Sequence, residues 1–131
     1  MKPGRFHELS REESLRRLAS VGVGRLVFTH QALPAIRPVH HVVDDGQVII
    51  RGHAGGVVLS ALDTVVAYEA DSVAGDETIG WSVVVTGVAR KLAPGEPADR
   101  YRQLADPWAN DDPGYLIRIR PELVSGFGLT G

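Results

Sequence analysis

The sequence predicts a mainly β fold with a few helices, an antiparallel barrel or sandwich rather than a doubly wound sheet. Three observations carry this. Short runs rich in β-branched residues recur along the 131 residues, turn signals such as Asp45-Gly46 join them, and the helical stretches interrupt the strand order without alternating with it. A chain of this length fits one domain spanning residues 1–131, with enough material for a core.

Ser10 and Glu13 have the Ser-x-x-Glu spacing of a capping box, in which the serine oxygen accepts from a first-turn N–H. Leu15, Leu18 and Ala19 then fall on one side of a short helix that Gly22 can stop. Two turns of helix are not stable alone, so this one serves as a lid on the core. VGRLVFTH (Val23 to His30) and AIRPVHHVV (Ala35 to Val43) read as strands, with a turn in the intervening QALP. Asp45-Gly46 is a hairpin signal leading to QVIIRG, so three antiparallel strands open the fold. VVLSAL (Val57 to Leu62) is too short for periodicity to decide, but the glycines before it and the strand TVVAYEA after it favour a helix.

A loop with Asp71, Gly75 and Asp76 leads to Gly80-Trp81 and a long strand, WSVVVTGVARKL. Pro97 near a helix start, with Tyr101, Leu104 and Ala105 on one flank, predicts a second helix in PGEPADRYRQLA. DPWANDDPG reads as a loop. YLIRIRP is an alternating strand with Leu116 on one face and Ile117 and Ile119 on the other, and ELVSGFGL is a candidate partner strand for it.

A net charge of −2 without an acidic or basic tail argues against a protein built to coat nucleic acid or an anionic membrane. The absence of cysteine excludes disulfides, thiol catalysis and Cys-ligated metals. The polar start MKPGRFHELSREESLRR lacks the apolar stretch of a secretory signal, and no window approaches the ~20 apolar residues of a membrane span. The expected location is the cytoplasm.

The turn RGHAGG, Arg51 to Gly56, has the makings of an anion site: glycines let backbone N–H groups converge, and an arginine adds charge and forked hydrogen bonds. It lacks the Lys-Ser or Lys-Thr of a Walker loop and the pattern of a dinucleotide fingerprint, and the same composition serves a plain bend. His40 and His41 are neighbours on a strand, so their side chains leave opposite faces and do not share a metal ion. Pairing of either with His53 remains open, without a carboxylate at ligand spacing. No serine sits in a nucleophile elbow. Asp111 and Asp112 read as solvated loop, and Arg11, Arg16 and Arg17 as the wet side of the first helix. Trp81 and Trp108 flank polar segments, where large rings stack on a planar ligand, fill a subunit interface or pack in the core.

SVGVGRLVF, AIRPVHHVVDDGQVIIRGHAGG, GWSVVVTGVARKL and PWANDDPGYLIRIRPELVSG, in this order and spacing, resemble the pyridoxamine 5'-phosphate oxidase-like FMN-binding split-barrel proteins, in particular their small actinobacterial-type members. The resemblance runs from about Leu9 to Leu129. It implies a six-stranded antiparallel split β-barrel that forms a homodimer, with FMN, or in some relatives a deazaflavin coenzyme or haem, at the subunit boundary. The implied activity is a flavin-dependent oxidoreductase acting on a small molecule, with no catalytic side chain specified. Arg37, Pro38 and Val39 then correspond to the strand beside the isoalloxazine and ribityl chain, and Arg51 and Gly52 to the strand end facing the phosphate. Ser82 corresponds to a polar position reaching the flavin, and Trp81 and Trp108 to ring or dimer contacts. His40, His41 and Trp81 are expected to shape the substrate side. The resemblance also exposes a departure. Relatives carry Ser or Thr followed by a phosphate-pairing Lys where this chain has Gly56 and Val57, so the cation is missing unless Arg51, Arg37 or His53 compensates. The same loss favours the alternative of a split-barrel binding protein for deazaflavin or haem, or a cofactor-free dimer.

Overall fold

A computed structural model describes residues 5–53, 55–73, 78–93, 100–101, 104, 106 and 114–130. In chain order its elements are β1 (Arg5–Glu8), α1 (Arg11–Ala19), β2 (Val23–His30), β3 (Leu33–Asp44), β4 (Gln47–Gly52), a 3-10 helix (Val57–Ala61), β5 (Val65–Val73), β6 (Ile79–Lys91), β7 (Tyr115–Ile119) and β8 (Leu123–Thr130). Six strands close into an antiparallel barrel in the order β6-β5-β2-β3-β4-β7, because β7 returns to pair with β6. Beyond β6 the sheet is extended by β8 and then β1. One edge of β6 makes this possible: Trp81 to Thr86 pair with β8, and Ala89 to Lys91 with β7.

The strand ladder follows the sequence closely, and the differences have physical causes. β8 pairs with β6 and β1 rather than with β7, whose two edges are already taken by β4 and β6. β1 has no apolar alternation and all four residues are exposed, so it is a strand only by virtue of the edge that β8 offers it. Asp71 belongs to β5 rather than to the following loop. The second helix expected in PGEPADRYRQLA and the loop DPWANDDPG fall largely outside the described residues.

The serine half of the capping box forms, with the Glu13 N–H donating to Ser10 Oγ at 3.0 Å, while the Glu13 carboxylate accepts from Arg16 and Arg17. α1 ends at Ala19 with Ser20 as its C-cap, two residues before the expected stop, and Ser20 Oγ donates back to the Arg17 carbonyl at 2.6 Å. Its buried side is Ser14 and Leu18, with Leu15 half-buried and Ala19 exposed, a correction to the expected apolar face. The short Ser14 side chain lets the helix lie directly over β8.

The β2–β3 hairpin turns on Gln31 and Ala32, both left-handed at φ 51 and 65 although neither is glycine. The β3–β4 turn places Asp45 and Gly46 at φ 52 and 73, the geometry that Asp-Gly favours. Inside the barrel, Leu26, Phe28, Val48, Ile50, Tyr68, Val83, Val85, Ile117 and Ile119 form the main core. Leu116 faces away from it and joins Ile49 and Leu104 in a smaller cluster, as the alternation of β7 predicts.

The outer surface of the sheet is also apolar in part. Leu123, Thr86, Ala67, Val27 and Ile36 stand in register across β8, β6, β5, β2 and β3, with Leu123 70% and Ile36 56% exposed. No described helix is long and apolar enough to cross a membrane.

Candidate functional site

The β3–β4 hairpin ends at Gly52, and the chain then turns through His53 and Gly56 into the 3-10 helix. At this end of the barrel lies a cavity of about 240 Å³. Arg37, Val39, Arg51, His53, Gly56 and Val57 line it, joined by Gly55, Val58 and Asp106. Six residues expected at a cofactor site therefore meet around one space.

Arg51 does not present the free fork that the sequence suggests. Its Nε donates to the Leu104 carbonyl at 2.7 Å and its Nη2 to the Tyr101 carbonyl at 3.2 Å, so the guanidinium ties these two carbonyls to the end of β4. Asp106 also meets this end of the barrel at His53, where Oδ2 lies 2.6 Å from Nδ1. The Asp106 side chain is 4% exposed and that of His53 23%. The returning chain rests on Gly52 at Gly114, where φ is +66 and a Cβ would lie 2.0 Å from the Gly52 carbonyl oxygen. Only glycine permits that approach.

Gly56 is constrained by a different neighbour. A Cβ at this position would lie 2.7 Å from Cε1 and Nε2 of His53, so the imidazole occupies the space that a side chain at 56 needs. The Gly56 N–H donates to the His53 carbonyl at 3.1 Å, which closes the turn on itself and removes that donor from ligand binding. Arg37 donates from Nη1 to the neighbouring Ile36 carbonyl at 3.0 Å and lines the cavity from β3.

His40 and His41 leave opposite faces of β3, as adjacent strand residues must. His40 is exposed, whereas His41 is buried with both ring nitrogens engaged. Nε2 lies 2.9 Å from the Leu18 carbonyl, which has no proton, so Nε2–H donates; Nδ1 then accepts from the Tyr68 hydroxyl at 2.5 Å. Burial holds this imidazole below its ordinary titration range and pushes the Tyr68 phenol well above its own. His41 is thus an internal strut between β3, β5 and α1 rather than a substrate contact. His40 and His41 border a second cavity of about 480 Å³ that His53 does not line, whereas His53 lines the first. Among the described residues no three His, Asp or Glu side chains are placed to hold a metal ion.

The remaining expected residues are dispersed within the single chain. Trp81 is 6% exposed and packs in the main core, and Gly52 lies under the Tyr115 ring. Pro38 and Ser82 face the outer surface of the sheet, opposite Arg25 and between Asp71 and Phe127 respectively. Trp108 lies outside the described residues.

Two polar groups escaped the sequence reading. Asp106 sits in a stretch that reads as solvated loop, and its contact spans 53 residues. On the outer sheet face, Arg25 Nη1 lies 3.2 Å from Glu69 and 3.6 Å from Asp71. Burial and the adjacent Asp71 carboxyl push Glu69 up to about 7. Alternate acids on one strand were the available signal, since residues i and i+2 share a face.

A small closed antiparallel barrel with a cation-lined, glycine-floored cavity at one end defines the class of protein. The chain belongs to the pyridoxamine 5'-phosphate oxidase family, which it matches over residues 10–127. It is 48% identical to an uncharacterized protein of Mycobacterium tuberculosis over 129 residues, covering 94% of this chain and 85% of that one. Among solved structures it is similar to the FAD-binding protein of Mycobacterium smegmatis, with 27% identity, a TM-score of 0.75, and coverage of 97% of this chain and 100% of that one. A conserved protein of unknown function from Corynebacterium diphtheriae shares 31% identity with a TM-score of 0.75, over 95% of this chain and 98% of that one.

Proposed function

We propose that this chain is a flavin-dependent oxidoreductase of the cytoplasm that binds FMN between two copies of itself. The observation that carries the reading is the convergence of Arg37, Arg51, His53 and the glycine turn on one cavity, in a chain whose fold matches an FAD-binding protein almost end to end. Two positively charged arginines suit a flavin phosphate, and Val39 and Val57 suit the ribityl chain and ring. The cavity of about 240 Å³ is below the ~300–1,000 Å³ of most small-molecule sites, so one chain supplies part of the site.

The outer sheet face supports a second copy as the source of the rest. Ile36, Val65, Leu123 and Phe127 are 56%, 65%, 70% and 46% exposed, and exposed apolar surface of this kind marks an interaction site. Pro38 and Ser82 share that face, so a second copy seated there brings them towards a cofactor. The bound flavin supplies the hydride and electron transfer. The protein positions it, excludes water with the barrel wall and holds its charge. No side chain need act as acid or base.

A second reading is favoured by one observation. Gly56 and Val57 replace the expected hydroxyl and ammonium, and the Gly56 N–H is already engaged by His53, which weakens a phosphate cradle and suits a deazaflavin or haem binder. Visible spectra of the purified protein, before and after adding FMN, FAD, deazaflavin coenzyme and haem, separate these. A flavin band with quenched fluorescence supports the first reading, a Soret band the haem version of the second, and an unchanged spectrum a cofactor-free dimer.

A further inference from the structure

We infer that Asp106 is a positioning residue that sets His53 as the phosphate-binding cation of the cavity, in place of the ammonium absent at Val57. The inference rests on the flavin reading above and deepens it.

Available charge decides the assignment. Of the cationic side chains on the cavity, Arg51 has Nε and Nη2 committed to the Leu104 and Tyr101 carbonyls, and Arg37 has Nη1 on the Ile36 carbonyl. His53 is held differently. Asp106 takes Nδ1 at 2.6 Å from within a nearly closed environment, which fixes the tautomer and orients the ring. The opposite edge of the ring, carrying Nε2, lies over Gly56 where a side-chain Cβ would otherwise be. Gly56 and His53 are therefore one substitution in two parts: the missing side chain at 56 makes the room that the imidazole fills.

With Nδ1 held by the carboxylate, Nε2 is the nitrogen left for a ligand, and a protonated ring donates through Nε2–H. Among the described residues, the charged groups around the cavity with His53 are Asp106, Arg51 at the end of β4 and Arg37 on β3. The consequence is a phosphate site that weakens as the imidazole loses its proton, whereas a lysine in the same place holds its charge throughout the neutral range.

The test compares FMN with riboflavin, which lacks the phosphate, by fluorescence titration of the intact protein at pH 6.5 and 8.5. Wild-type protein should bind FMN about tenfold more weakly at the higher pH, with riboflavin unchanged. Asp106→Asn and His53→Gln should each remove most of that pH dependence and weaken FMN at pH 6.5 without moving riboflavin. Adding Val57→Lys to His53→Gln should restore FMN binding in a form indifferent to pH. NMR of the His53 ring gives a reading independent of flavin, and Asp106→Asn should move the Nδ1 resonance as its carboxylate partner is lost. FMN binding that is tight but identical at the two pH values, or unaffected in His53→Gln, overturns the inference while leaving the flavin reading in place. Failure of both flavins to bind overturns the two together.

Discussion

His41 and His53 are 12 residues apart, one inside the β3–β4 ladder and the other just beyond its exit, yet the fold treats them in opposite ways. His41 has both nitrogens answered by protein, Nε2 by the Leu18 carbonyl and Nδ1 by Tyr68, and is 3% exposed. His53 has one nitrogen answered by Asp106 and turns its other edge to a cavity. A ring satisfied on both sides contributes to stability, and a ring satisfied on one side is available to a ligand. Residue type alone does not separate them; the partner of the second nitrogen does.

Removing the strut tests this most severely. Tyr68→Ala deletes a fully buried ring and should cost about 3–5 kcal/mol in urea unfolding. Tyr68→Phe keeps the ring and leaves His41 Nδ1 without a donor, for about 1–3 kcal/mol, and should leave FMN affinity where it was. His53→Gln should do the reverse, moving stability by less than Tyr68→Phe while lowering FMN affinity. If Tyr68→Phe lowers FMN affinity as much as His53→Gln does, the division between the two rings fails.

Acid sharpens the contrast. His41 titrates lower in the folded protein than the ordinary imidazole value of 6.5, so the unfolded chain takes up its proton first. Its contribution to stability is complete above about pH 6.5 and is lost as pH falls below it. Glu69 runs the other way: raised to about 7 from 4.5, it contributes most below 4.5 and loses that contribution as pH rises through 7. Glu69→Gln should therefore raise the urea midpoint relative to wild type at pH 8 and have little effect at pH 4.5. The smallest expected effect belongs to a site far from both rings. Ala32→Gly relieves a left-handed alanine and should stabilise by about 0.5–1 kcal/mol, without changing flavin binding.

How much of this was legible in the sequence follows the range of the interactions. β2 and β4 are bounded by their own turns and β-rich composition, so VGRLVFTH and QVIIRG match the observed strands end to end. β1 has nothing local to declare it, because Arg5, Phe6, His7 and Glu8 are all exposed and ordered only by β8. The site divides in the same way. Arg37, Arg51 and His53 share the β3–β4 hairpin and its exit, and their proximity follows from local pairing. Asp106 reaches His53 across 53 residues of chain, a contact that no periodicity announces. Trp81 was illegible for another reason: a large ring at a strand entrance suits the core and a ligand equally, and the alternation of β6 turns it inward.

Among the described strands, β1 forms the outer margin of the sheet beyond β8, and it is only four residues long, with Arg5, His7 and Glu8 among them. Short length and charge are what discourage a foreign strand from adding to a sheet. The same chain that leaves an apolar sheet surface available for face-to-face assembly thus guards the flank along which fibrous growth would begin.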